Sequence, residues 1–316
     1  MTKKRKRKPT KRTIQHSNLI PIKPDNNIFL GQSNIDITYW NARSIKNKTI
    51  CIYDYLAAKS CDVFLLTETW LSSTTDIGDP NQAVLATALP AGFQIQHTPR
   101  NNGLKGGGVG MVFSEEVSVK FNIQLPKCNQ FEIMQTAIYA GCARIIIVIV
   151  YRPQPNKKNG LKLKLFWPQW IKILTSLVAM KDEFIIIGDL NFHLDNITNR
   201  STNKFLNILP EFGLHQHVQE STHVHGHILD VVITRTDSKV VTALQVVDLG
   251  FTNDTDDLIR DHLAIKMVIK ANKRSIPNKT IQYRNWKNVN KDNFERDLTE
   301  HIREATTEYE PDILAQ

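Results

Sequence analysis

Residues 184–195 read FIIIGDLNFHLD: four apolar residues, a glycine, then an aspartate and an asparagine two positions apart. An unbroken apolar run of strand length, closed by glycine, fits a strand buried on both faces better than an amphipathic helix. The carboxylate that follows sits on a rigid strand end, where a hard cation such as Mg²⁺ finds the oxygen ligands it prefers. Taken alone, GDLN also reads as a simple turn, because Asp and Asn cap turns and helices.

The same grammar recurs outward from this stretch. Strand-length runs rich in Ile and Val occupy 35–40, 63–67, 109–113, 133–138, 144–150, 228–234, 240–247 and 262–269, most of them bounded by Gly, Pro, Asn or Asp. Helix-length stretches fall at 49–59, 161–180 and 202–212. The middle one carries a helical stripe (Leu161, Leu165, Trp167, Ile171, Leu174, Leu177) interrupted at Pro168. Many strands and few helices, not strictly alternating, predict two packed sheets covered by helices rather than a doubly wound sheet. There is no internal repeat. Residues 1–34 are polar and read as a disordered lead-in, 35–270 as the compact domain, and 271–316 as a polar linker with a charged helix over 289–315.

Composition narrows the class. The 316-residue chain is 41% hydrophobic with mean hydropathy −0.29, ordinary for a soluble protein. Its longest apolar run, Ile145–Val150, is far below the roughly 18 residues of a membrane span, so no membrane partner is expected. The four cysteines, Cys51, Cys61, Cys128 and Cys142, lack metal-binding spacing and read as buried thiols in a reducing compartment. Of the formal net charge of +9, eight positive charges lie in residues 3–12, so the folded part is nearly neutral. The basic tail reads as a nuclear-localisation signal or a nonspecific phosphate-binding arm, against the plainer reading of a solvated end.

Polar residues fall repeatedly at strand ends. Asn41 follows 35–40, Glu68 follows VFLLT, Tyr151 follows IIIVIV, Asp189 and Asn191 follow FIIIG, and Asp261–His262 precede LAIKMVI. Each alone is more easily a cap or a turn; five in order are harder to explain that way. WNARSI (40–45), LLTETWL (65–71), GGGVGMVF (106–113), VYRPQP (150–155), GDLNFHLD (188–195), STHVHGHILDVVIT (221–234) and RDHLAI (260–265) together resemble the endonuclease domain of LINE-type, non-LTR retrotransposons. More broadly they resemble the DNase I-like and apurinic/apyrimidinic endonucleases of the endonuclease/exonuclease/phosphatase superfamily. The resemblance covers about residues 35–270, and IQYRNWKNVN (281–290) is similar to the connector that leads towards a reverse transcriptase in such elements.

The resemblance implies an α/β four-layer sandwich, two mixed β-sheets face to face with helices outside, and a monomeric Mg²⁺-dependent endonuclease that nicks DNA, with Mn²⁺ as a substitute ion; the basic tail and the DNA substrate together lead to an expected nuclear, or cytoplasmic and nuclear, location. It assigns Glu68 to the metal, with Asn41 beside it and Asp261 as a supporting or direct metal partner. Asp189 is implied as the group that activates water, and Asn191, Tyr151 and His262 as phosphate contacts. Asp230 is implied to orient His262, and Thr222 to lie in a loop approaching the DNA backbone. The logic stands on chemistry as well: phosphodiester hydrolysis needs an activated water and charge neutralisation at the phosphoryl oxygens. The motif set departs from the family at Arg260, usually a serine, where an arginine competes for the phosphate. Arg43 replaces the aspartate of the apurinic-site enzymes, which argues against the repair branch. Target choice is expected to lie in 80–91 and 249–257.

Three rival readings remain. The histidines at 215, 217, 223, 225 and 227 invite a zinc site, but an extended segment would spread the last three along one face. A phosphatase of the same superfamily would carry WxGDxNYR where this chain has IIIGDLNFH. A non-catalytic retroelement remnant that binds nucleic acid is the third, drawn from the chain stopping at Gln316, where a reverse transcriptase would follow.

Overall fold

The computed structural model describes residues 34–73, 78–100, 105–121, 125–141, 143–252, 261–270 and 290–307. The Arg260 departure, Cys142, most of the 249–257 loop and the connector motif up to residue 289 lie outside the described residues.

One six-stranded sheet has the order β11-β12-β1-β2-β4-β3. Its strands are β1 (Asn34–Asn41), β2 (Val63–Thr67), β3 (Phe93–Thr98), β4 (Val109–Ser114), β11 (Val241–Val247) and β12 (Ala264–Lys270). The second, in the order β5-β6-β7-β8-β10-β9, comprises β5 (Ser118–Lys120), β6 (Glu132–Ala140), β7 (Ala143–Tyr151), β8 (Glu183–Asp189), β9 (Leu214–Gln216) and β10 (Asp230–Arg235). Each sheet holds one central parallel pair, β1–β2 or β7–β8, and its other pairs are antiparallel.

Strand parity explains the unbroken apolar runs. On β7, Ile145, Ile147, Ile149 and Tyr151 enter the core between the sheets, while Ile146, Val148 and Val150 face outward onto a second core. That outer core is closed by Phe166, Trp170, Ile173, Leu174 and Leu177 of α3 (Leu163–Val178) and by Phe205 and Leu209 of α4 (Arg200–Glu211). On β2 the same alternation sends Val63 and Leu65 inward and Phe64 and Leu66 against Ile52 and Leu56 of α1 (Thr49–Ala57) and Ala88 of α2 (Gln82–Ala88). Each such buried aliphatic side chain is worth about 1.5–3 kcal/mol, so both faces of a central strand must be covered for it to stand. Helix, sheet, sheet, helix is the four-layer sandwich expected from the motifs.

Several local expectations shift. The helix over 163–178 runs through Pro168 without a break, at the cost of the one hydrogen bond its missing N–H would have made. β3, β5, β9 and α2 were not anticipated. β3 (FQIQHT) pairs with β4 alone, at a sheet edge, where glutamines dilute the apolar signal. α2 falls within the 80–91 stretch expected to be a target-selecting loop. A helix α5 (Lys291–Thr307) carries Phe294, Leu298 and Ile302 at four-residue spacing, one apolar stripe on an otherwise charged surface.

Candidate active site

The two parallel pairs deliver their strand ends to one rim. Asn41 ends β1 in register with Thr67 on β2, so Glu68 is the next residue out. Tyr151 ends β7 in register with Asp189 on β8, and Asp189 in turn pairs with Asp230 at the start of β10. His262 precedes β12 and is tied by an isolated bridge to His223.

Asn41 joins the sheets. Its amide nitrogen donates to Asp189 Oδ2 at 2.9 Å and to Glu68 Oε1 at 3.2 Å, while its oxygen accepts from the Arg43 N–H. As placed, Asn41 bridges the Glu68 and Asp189 carboxylates. Asp189 is fully buried and also accepts from the Asn191 N–H at 2.7 Å and the Asn191 side chain at 3.1 Å. The other Asn191 amide hydrogen goes to the Arg152 carbonyl, so Asn191 clamps Asp189 and its donors are not free for a phosphate.

His262 Nδ1 lies 2.8 Å from Asp230 Oδ2, and its Nε2 faces Asp189 Oδ2 across 4.0 Å, too far for a hydrogen bond. Asp230 is fully buried and receives a second hydrogen bond, 2.7 Å, from the Tyr39 hydroxyl. Burial alone would keep His262 neutral, but the Asp230 carboxylate beside it outweighs that and pushes it up to about 9. Burial, then the charge of Asp230, raises Asp189 to about 7. Tyr151 is held well above its usual range by burial and by the charges of Glu68 and Asp189.

Glu68 owes its position to the triple glycine. Thr69 and Trp70 N–H groups donate to the Gly108 and Gly107 carbonyls, at 3.2 and 2.8 Å. Gly107 has φ +70°, and a Cβ there would run into the partly buried Arg100–Glu132 ion pair. Among the described residues, seven non-glycine residues have positive φ, and five of them (Arg43, Ser44, Glu68, Trp70, Asn191) surround this rim. Left-handed backbone at such residues costs on the order of 1–3 kcal/mol each, and it persists where the surroundings over-determine it. Gly188 has φ +151°, and a Cβ there would collide with the Val150 carbonyl of the neighbouring parallel strand.

Two expected site residues have other partners at this rim. Thr222 is fully buried; its hydroxyl accepts from the Leu229 and Asp230 N–H groups, so its side chain props the start of β10 and is not itself presented to solvent. The Asp261 carboxylate is taken up by the Arg43 guanidinium and not by the acidic cluster. The histidine row also differs, because 224–226 is a turn and not an extended strand. His223 and His225 rings lie together, while His227 turns towards Asp195.

Sequence reading missed Tyr39, Arg152 and Glu132. Tyr39 continues the inward alternation of Ile35 and Ile37, a usable signal, since a buried hydroxyl needs a partner. Arg152, the arginine of VYRPQP, stacks on Phe192 at 4.1 Å and donates to the Leu190 and Asn191 carbonyls, fixing the GDLN turn.

The donor set fits a divalent cation. Glu68, Asp189 and Asp230 gather with His262 as their cationic neighbour, since Arg100 is committed to Glu132 and Arg43 to Asp261. Asp189, Asp230 and His262 each offer a ligand atom within 4.8 Å of the others. Beside them opens a cleft of about 730 Å³ whose lining includes Asn41, Arg43, Lys46, Lys48, Trp70 and Asp261.

Comparison with known proteins identifies the fold. Among solved structures, the endonuclease domain of TRAS1, a telomere-specific non-LTR retrotransposon, aligns with a TM-score of 0.53 at 15% identity over 75% of this chain and 98% of its own. An AP endonuclease from Leishmania major aligns with a TM-score of 0.54 at 14% identity, covering 81% and 94%. One from Archaeoglobus fulgidus gives 0.54 at 16% identity, covering 75% and 100%. No curated protein matches the sequence. At these identities the structures establish the shared fold. The model of the Endonuclease/Exonuclease/phosphatase family matches residues 38–256, more than half of the chain, and the chain therefore belongs to that family.

Proposed function

We propose that this chain is a divalent-metal-dependent endonuclease that nicks DNA, of the non-LTR retrotransposon type. The observation that carries the reading is the approach of Asp189 to His262 Nε2 at the junction of the two sheets, with Glu68 alongside. Side by side at 4.0 Å, a base and a cationic donor can address the attacking water and a phosphoryl oxygen of one scissile phosphate.

Asp189, raised to about 7, is matched to take a proton from water near neutrality. Asn41 and Asn191 hold its carboxylate in place. His262, kept protonated by Asp230, presents Nε2–H to a phosphoryl oxygen, and Tyr151 lines the same rim. Glu68 would hold the ion, with Asn41 and Asp189 adjacent; when bound, Mg²⁺ supplies a Lewis acid for the phosphoryl oxygens. Lys46 gives the adjoining cleft an exposed cation for backbone phosphates.

Two neighbours of the same fold were solved with DNA, a Neisseria 3′ phosphatase with a product hairpin and D. rerio TDP2 with single-strand product. They support a nucleic-acid substrate for this rim. A nuclear setting for residues 35–270 as the catalytic domain, acting as a monomer beside a reverse transcriptase, completes the proposal. The test is conversion of supercoiled plasmid to open circle by the full chain in Mg²⁺ or EDTA, beside phosphate release from inositol phosphates. Mg²⁺-dependent nicking is expected. Phosphate release without nicking would transfer the rim to the phosphatase branch, and neither activity in folded protein would overturn the enzyme.

A further inference from the structure

We propose that His193, Asp195 and His227 bind a divalent transition ion of the Zn²⁺ class at a site separate from the Glu68–Asp189–His262 rim. Each offers a ligand atom, and the three atoms lie within 4.8 Å of one another. His227 Nδ1 is 3.0 Å from Asp195 Oδ2, and the His193 and His227 rings meet edge-on with centroids 4.4 Å apart. Two imidazoles and one carboxylate suit Zn²⁺ or Co²⁺ and discriminate against Mg²⁺, which prefers an all-oxygen shell. Three protein ligands leave a fourth position for water.

The ligands are pre-positioned by backbone. Phe192 and Leu194 are buried, so the flanking His193 and Asp195 point outward from the turn. The Leu194 N–H donates to the Ile228 carbonyl at 2.9 Å, and the Ile228 N–H returns a bond to Asp195 Oδ1 at 3.0 Å. Asp195 Oδ1 is thereby fixed, and Oδ2 is aimed at His227. An ion taking Nδ1 and Oδ2 would break their hydrogen bond, and the imidazole proton would move to Nε2, so neutral His227 keeps one proton. The hydrogen bond alone needs no third group, yet His193 stands at its edge.

The consequence is mechanical. His193 and Asp195 follow the GDLN turn that carries Asp189 and Asn191, while His227 lies just before Asp230. An ion here staples those two loops together, whatever the rim hydrolyses. The histidine-rich stretch thus meets its partners across the fold, and not within its own row.

The test strips the full chain with chelator, returns it to excess Mg²⁺ to saturate the oxygen-rich rim, and titrates Zn²⁺ by calorimetry and Co²⁺ by visible absorption. One equivalent is expected, with affinity falling by roughly 10–100-fold or more in His193→Ala, a change that leaves the Asp195–His227 hydrogen bond intact. His227→Ala, checked for folding by circular dichroism, should behave likewise, and a His215→Ala/His217→Ala pair should bind as the parent does. No Zn²⁺ equivalent in the parent, or an affinity unchanged in His193→Ala, would overturn the site.

Discussion

Two histidine–aspartate pairs flank the loop from 221 to 230, and their contacts are nearly the same length. His262 Nδ1 lies 2.8 Å from Asp230, and His227 Nδ1 lies 3.0 Å from Asp195. Their surroundings differ sharply: the first pair is 9% and 0% exposed, the second 40% and 30%. In the buried pair water cannot screen Asp230, so its charge holds His262 protonated against the cost of burial. In the exposed pair solvent does part of that work, and the contact is weak enough to yield to a metal ion. Identical chemistry therefore serves as a fixed cation in one place and as an exchangeable clip in the other.

The largest expected difference between them is in stability. Asp230→Ala strips a buried histidine and the Tyr39 hydroxyl of their partner, and should lower unfolding free energy by about 3–5 kcal/mol in urea titrations. Equality with Asp195→Ala in metal-free protein would break the comparison. In activity, His262→Ala should reduce the rate of plasmid nicking roughly 10²–10³-fold, by analogy with loss of one preorganised donor.

Acidity sharpens the contrast further. His262 is raised to about 9 from an ordinary 6.5, so its contribution to stability is complete below 6.5 and disappears as pH rises through about 9. Metal-free protein should lose stability across that window, and His262 should titrate near 9 by NMR. In Asp230→Asn both effects should vanish, because burial then favours the neutral imidazole. Asp189, raised to about 7, acts with the same sign at lower pH: its contribution is lost as pH climbs from about 4 to 7. The smallest effect belongs to Asp195→Ala without metal, about 0–1 kcal/mol, measured in the same urea titrations.

Much of this was legible in sequence where local pattern and final environment coincide. The runs at 63–67, 109–113, 144–150 and 184–187 became central strands because nothing but burial on both faces suits them. Asn41, Glu68, Tyr151, Asp189, Asp230 and His262 were found because strand ends are rigid and the motif order is distinctive. Side-chain direction was not legible. Thr222 shares its loop with groups near the rim, yet its hydroxyl is spent on two N–H groups below it. Asp261 stands next to His262, yet Arg43, 218 positions away, claims its carboxylate. Edge strand β3 was missed because none of its residues is fully buried and Gln94 and Gln96 are exposed, and the His193–Asp195–His227 cluster because its members come from two loops that only the fold joins.

The central claim is that Asp189 is the group through which this rim hydrolyses a phosphodiester. Its most direct test is the rate of plasmid nicking by Asp189→Asn and parent full chain at saturating Mg²⁺, with folding verified by near-ultraviolet circular dichroism. A loss of roughly 10²-fold or more in a folded variant is the expected result. A variant that nicks at the parental rate would contradict the account.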